Sequence, residues 1–548
     1  MNKKSIIKAF IAGASLALLS ACADSFLDTT SKSTLTDENY YKTVADAQHA
    51  LTGCYDGLQV AYCYNNVTFL LASEIMSDNC FAGGGVGDNQ DFLAIDEFDN
   101  NKVSGGNILE PQWKYYYTAI NRCNLLLSKD GQINWDGDEQ TRLNIIGQCR
   151  AIRALCYFDL TRLFGSVPLL TEPTVAKVAQ AEPAAIYQLI GEDLKFAADN
   201  IKLGAWTSSW TNTNDGLISE YAAKALLARA YLFYTGFYKQ NDLAGISKSE
   251  VLGGLEQVIS EGGFDLLPSF SSLWPCASRQ SATNSYTWAV DNYAGEGNQE
   301  TLFALKFDSN SDQGTNQNGS VPMFSMRNTK FSPYGTGWGV ATVNKKLYDA
   351  YGTDDTRRDA SIINIDGEGI SASSSFNTGG DWREYTGYSV KKYSAQAYYD
   401  GTDAVQIENP DADFQYYQGQ DYVVMRYADV LLMAAEMGSP NAQLYYDRVR
   451  SRAGLSSKAV STANLMEERR LEFAFEGLRY WDLLRQGLEN AANTLAQNQN
   501  GTTVESGGVA ASINVTATNI TGKGGLLQKP VNQITLMGSD VLQQNQGW

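Results

Sequence analysis

The sequence predicts a mainly α-helical protein: a tetratricopeptide-type helical repeat scaffold with a large irregular, loop-rich insert and C-terminal part. Three observations predict it. Apolar and small residues recur at helical spacing through the first half of the chain. Several of those stretches start at a Pro or Ser suited to a helix N-terminus. The texture then changes near residue 268, where Gly, Asn, Ser, Thr and aromatics replace helical runs until about residue 420.

The chain opens on Lys3, Lys4 and Lys8, followed by a short apolar run, Ile11 to Leu19, too short to span a bilayer of about 20 helical residues. The run stops at Leu19-Ser20-Ala21-Cys22, which is similar to a bacterial lipobox. Residues 1–21 are therefore expected to be a lipoprotein signal peptide, with Cys22 the lipidated first residue. Several acyl chains on one cysteine anchor far better than one, at ~0.8 kcal/mol per buried methylene. Loss of the leader, with its three lysines and no acids, takes the net charge from −19 to −22. That acidity argues against nucleic acid and against a basic patch on anionic lipid.

Residues 22–267 form the predicted helical part. Helices are expected over 111–127, 139–165, 183–203 and 219–238, and the last places Ala222, Ala225, Leu226 and Arg229 at helical spacing. Ala facing aromatics suits closely packed helix pairs of the tetratricopeptide type. Residues 268–420 form the irregular part, with one short helix over 343–351. Helices resume at 421–437, 441–453 and 464–487, and residues 488–548 read as a loop and a C-terminal segment. Seven cysteines remain beyond Cys22. Cys149 and Cys156 lie roughly 10 Å apart along a helix, too far to bridge. With no Cys-x-x-Cys and a single histidine, His49, a Cys/His zinc site is not supported, and most of the cysteines read as buried apolar residues.

No nucleophile elbow, phosphate loop or zinc-protease motif occurs, and no cofactor is expected. Glu468, Glu472 and Glu476 fall at i, i+4 spacing, roughly 6 Å apart, as an acid/base pair could. Arg469, Arg470 and Arg479 stand beside them, so an ion-paired structural face is the preferred reading. His49, with no nucleophile motif near it, reads as a solvent-facing helix residue.

The positive signal is aromatic. Sugar rings stack their C–H faces on Trp, Tyr and Phe, and polar side chains meet the hydroxyls; rings in broken chain are more informative than rings on helices. The irregular part supplies Trp274, Tyr286, Trp288, Tyr293, Phe331, Tyr334 and Trp338, among Asn284, Asp291, Asn292, Arg327 and Asn328. FSPYGTGW sets three rings in eight residues of Gly/Pro-broken chain. A second loop, 77–107, carries Phe81, Phe92 and Phe98 with Asn79, Asp88 and Asn100.

Several stretches together resemble the SusD/RagB family of surface glycan-binding lipoproteins. They are SFLDTTSKSTLTDENYYKTVADAQHALTGCYDGL, RALCYFDLTRLFGSVPLL, GLISEYAAKALLARAYLFY, LYDAYGTDDTRRDASI, VVMRYADVLLMAAE and EERRLEFAFEGLRYWDLLRQG, with the terminal QQNQGW departing slightly from the usual ending. The resemblance covers nearly the whole chain after the leader, 22–548, as a single SusD-like domain. It implies a lipid-anchored outer-membrane protein, exposed at the cell surface. It also implies a non-catalytic role: binding an oligosaccharide, in some members a peptide, and passing it to a SusC-type TonB-dependent transporter. The ligand surface would be built from the two loop regions, with Trp288, Phe331, Tyr334, Trp338, Tyr286, Tyr293, Phe81, Phe98, Asn79, Asn292 and Arg327 as candidates. A peptide-binding member of the same family is the alternative, and a surface glycoside hydrolase and a protein-binding scaffold are the competing classes. New reducing ends on a glycan would mark the hydrolase.

Overall fold

The computed structural model describes residues 40–63, 67–83, 91–210, 214–282, 287–309, 316–327, 333–369, 385–399, 404–406, 413–500 and 515–548. The leader, Cys22, Tyr286, Phe331, Asn284, Asn328 and Asp88 lie outside the described residues.

The first half is a run of helices: α1 Val44–Val60, α2 Phe69–Ile75, α3 Glu110–Lys129, α4 Glu139–Phe164, α5 Pro183–Asn200, α6 Glu220–Phe237 and α7 Lys248–Glu261. Their starts follow the local chemistry. Thr43 and Asp46 form a capping box on α1, Ser219 accepts the N–H of Ala222 on α6, and Pro occupies an early position in α3 and α5. Successive helices pack on one another from α3 to α7, and α1 lies against both α3 and α4. Gly57 allows a close approach of α1 to α3: a Cβ there would stand 3.0 Å from the Ala119 Cα. The predicted helical class and its tetratricopeptide-type scaffold are what the structure shows, and the four helices expected here fall within a few residues of their observed ends. His49 lies exposed on α1, as expected.

The irregular part is tied back by short strand pairs. Cys80–Ala82 (β1) pairs with Ala341–Val343 (β5), and Arg279–Ser281 (β2) forms a hairpin with Trp288–Asp291 (β3). Thr301–Leu305 (β4) pairs antiparallel with Tyr422–Arg426 (β6). This corrects the helix expected over 421–437. Tyr-Val-Val-Met-Arg is a strand with a paired edge, and only Tyr427–Glu436 (α8) is helical. The helix expected over 464–487 is two, Thr462–Glu472 (α10) and Arg479–Arg485 (α11), after α9, Ala442–Arg452. Phe475 and Gly477 between α10 and α11 have φ of 66° and 75°, which a helix does not accommodate. Residues 488–525 are not all loop: Leu488–Gln499 (α12) and Ala517–Gly522 are helical. One apolar core runs through these parts, from Tyr41 to Leu542.

The charged residues of EERRLEFAFEGLRYWDLLRQG are mostly inside. Arg426 binds Glu300 at 2.9 Å, Glu472 at 2.5 Å and both oxygens of Glu476 at 2.7 and 2.9 Å. Arg357 binds Glu468 at 2.6 Å, Glu472 at 3.0 Å and Asp355 at 2.7 Å. Arg450 pairs with Glu468, Arg452 with Glu300 and Glu472, and Lys392 with Glu476. Five cations thus face five anions: Arg357, Lys392, Arg426, Arg450 and Arg452 against Glu300, Asp355, Glu468, Glu472 and Glu476. Balanced charge, with hydrogen bonds to each charged group, is the condition under which buried charge is tolerated. Beside it, Arg469 bridges Asp429 and Asp482, and Asp78 binds Arg479 and Arg470.

Candidate functional site

The three-carboxylate constellation is occupied by arginine. Burial alone would raise the Glu472 carboxyl, but Arg452, Arg426 and Arg357 hold it well below the ordinary range. A carboxylate so held is a poor proton donor or acceptor near neutrality. The structural reading stands, with different partners from those expected: Arg357, Arg426, Arg450, Arg452 and Lys392 take the place of Arg469, Arg470 and Arg479. Glu476 also leaves the helix face, since α10 ends at Glu472.

The aromatic candidates divide by burial. Phe81 is 1% exposed in β1, and Phe98, at φ 50°, is fully buried against Tyr480 with ring centroids 5.9 Å apart. Asn79 is fully buried and accepts a 3.0 Å hydrogen bond from Arg470 Nε. These three of the 77–107 segment are corrections: Cys80–Ala82 pairs with β5, Asn79 meets Arg470 of α10 and Phe98 meets Tyr480, so their side chains belong to the interior. Phe92 of the same segment packs partly buried on the core. Tyr334 is a correction too. At 2% exposure it sits in a small apolar cluster with Cys276, Met326, Ile363, Ile365 and Tyr385, its hydroxyl bonded to Glu368. Trp274, 1% exposed, is core.

Two groups keep surface. On the β2–β3 hairpin, Trp288 is half-buried, with the Arg279 guanidinium 5.2 Å from its ring centre and 4.7 Å from that of half-buried Tyr293. Arg279 is fixed by Asp291 at 3.0 Å, and that contact holds the Asp291 carboxyl below its usual range. Asn292 is exposed beside them, its backbone N–H donating to Ser278 at 3.0 Å. In the second group, Trp338 is half-buried, edge-on to Phe414 at 5.2 Å, with Arg327 5.8 Å from its ring centre.

The two groups share a foundation. The short helix Pro275–Ser278 leads directly into β2, and its Cys276 packs with Tyr334. Gln396 bonds Pro275 and forms a bridge with Tyr334, four residues before Trp338. Each group offers aromatic surface with a cation and hydrogen-bonding groups beside it, the chemistry that polyhydroxylated rings require. Arg279 and Phe414 were not anticipated. One meets Trp288 only across the hairpin and the other meets Trp338 from 76 positions away, and neither relation leaves a local sequence signal.

Residues 299–548 match the family model described as SusD family, and residues 25–232 match one described as starch-binding associating with outer membrane. SusD-like protein P2 of Formosa agariphila is 26% identical over 507 residues, covering 87% of this chain and 90% of that one. A SusD-like protein of Bacteroides ovatus is 22% identical over 508 residues, covering 85% and 80%. Among solved structures, a laminarin binding SusD-like protein matches with a TM-score of 0.69 at 25% identity, over 93% of this chain and 100% of that one. Surface glycan-binding protein A from Bacteroides fluxus matches at 0.71 and 23%, over 92% and 99%. The two family models fall on both halves of the chain, and the fold is shared along nearly its whole length: the chain belongs to the SusD/RagB family.

Proposed function

We propose that the protein is a cell-surface lipoprotein that binds an oligosaccharide and delivers it to a SusC-type TonB-dependent transporter, without catalysis. The observation that carries binding is the pair of partly exposed tryptophans, Trp288 and Trp338, each with a guanidinium beside its ring. Similarity to a laminarin binding SusD-like protein makes laminarin the first ligand to try. The lipobox at Cys22 supports a lipid anchor. Among the described residues no helix is long and apolar enough to cross a membrane. The three arginine-bound glutamates support a non-catalytic role.

The test is calorimetry of the chain against a glycan panel that includes laminarin, with reducing ends assayed in parallel. Saturable binding of at least one glycan, without new reducing ends, is expected. Absence of binding across the panel, or hydrolysis above a no-protein control, overturns the reading. Affinity capture of detergent-solubilised native complexes is expected to bring down a large outer-membrane barrel. Recovery of the chain alone under the same conditions counts against the delivery step.

A further inference from the structure

We infer that Cys54, Cys123 and Cys149 form a three-sulfur site for a soft, closed-shell metal ion of the Cu(I) type, set where three helices of the scaffold meet. The residues lie on α1, α3 and α4, all three are fully buried, and none is in a disulfide. Their sulfur atoms all lie within 4.8 Å of one another. An ion bound to three thiolates at about 2.3 Å sits in a sulfur triangle with edges of about 4 Å. The cluster therefore needs side-chain adjustments of less than about an ångström to close on a metal.

The donor set selects the ion. Thiolates favour Cu(I) and zinc over hard cations. A structural zinc site wants four ligands, commonly with histidine, and the single histidine of the chain, His49, is exposed on α1. Three sulfurs alone suit an ion content with low coordination. Burial holds the Cys123 and Cys149 thiols well above the ordinary range, so binding has to displace their protons. Uptake is an exchange without electron transfer: sulfur–hydrogen bonds give way to sulfur–metal bonds, the protons pass to solvent, and the ion keeps its oxidation state. The close α1–α3 contact at Gly57 and Ala119, three and four residues from Cys54 and Cys123, holds the helices at the spacing the site needs.

The full-length chain, reduced and kept anaerobic in detergent, is titrated with Cu(I) against a chromophoric chelator, both folded and during refolding. Cd(II) serves as a parallel probe, read by its ultraviolet thiolate-to-metal band. One ion per chain is expected. Cys123→Ser should weaken binding at least about tenfold, on the scale of losses from disturbed metal sites, while Cys276→Ser binds as the unaltered chain does. No binding by either route, or equal binding by Cys123→Ser, overturns the site. So does a disulfide joining two of the three cysteines in the freshly isolated chain. If Cys123→Ser does not fold, X-ray absorption of the unaltered chain loaded with Cu(I) decides: three sulfur scatterers support the site and fewer overturn it.

Discussion

Replacing Arg426 by Met should destabilise the protein strongly while leaving its surface unchanged. Arg426 donates to Glu300, Glu472, Glu476 and the Glu472 carbonyl, and its guanidinium lies 4.5 Å from the Phe473 ring centre. Met fills a similar volume without charge. The cluster of five cations and five anions then holds four and five. Glu300 keeps Arg452, and Glu472 keeps Arg357 and Arg452. Glu476 keeps only Lys392, on one oxygen. Removing one partner from a buried pair costs about 3–5 kcal/mol. With an unfolding entropy of about 2 cal/mol/K per residue, a chain of this length loses roughly 1 °C per kcal/mol, so Tm should fall by about 3–5 °C. Thermal unfolding followed by circular dichroism and calorimetry reads this. The exposed Glu467→Gln should lie within about 0.5 kcal/mol of the unaltered chain. Adding Glu476→Gln to Arg426→Met restores four against four and should recover part of the loss. A loss under about 1 kcal/mol, or no recovery in the double variant, refutes the reasoning from charge balance.

Trp288→Ala and Trp338→Ala should each weaken glycan binding by up to roughly tenfold, since ring stacking is worth ~0.5–1.5 kcal/mol beyond burial; Tm should hardly move, and normal affinity in both variants, measured by calorimetry, would place the binding surface elsewhere. Burial lifts the Glu74 carboxyl to about 8, against a Gly477 N–H bond of 2.7 Å. The folded state therefore keeps a proton that the unfolded chain releases at its ordinary carboxylate pKa, so this group's contribution to stability falls as pH rises from there to about 8. Glu74→Gln should remove that slope and melt above the unaltered chain at pH 8 and beyond, and parallel Tm–pH curves would sink the assignment. Cys22→Ser should move the chain from the membrane fraction to the soluble fraction on fractionation, with undiminished membrane recovery as the contrary result.

The sequence by itself determined the helical class, the positions of α3 to α6 and the family, because helical periodicity, capping residues and the ordered motifs are local in the chain. It also determined that the Glu468 face is structural, since arginines stand close by in sequence. Only the tertiary structure decided which arginines those are. Arg357 and Arg426 come from 111 and 46 residues away, and a long-range ion pair leaves no periodic trace. The same holds for the strand at Tyr422–Arg426, whose partner is β4. It holds for the rings as well. Phe81, Phe98 and Tyr334 sit in Gly- or Asn-rich chain that reads as surface, yet pairing with β5, Tyr480 and the Cys276 cluster draws them inside. Burial belongs to what folds over a residue, and Cys54, Cys123 and Cys149 meet for that reason, on three helices whose packing brings together positions 69 and 26 residues apart.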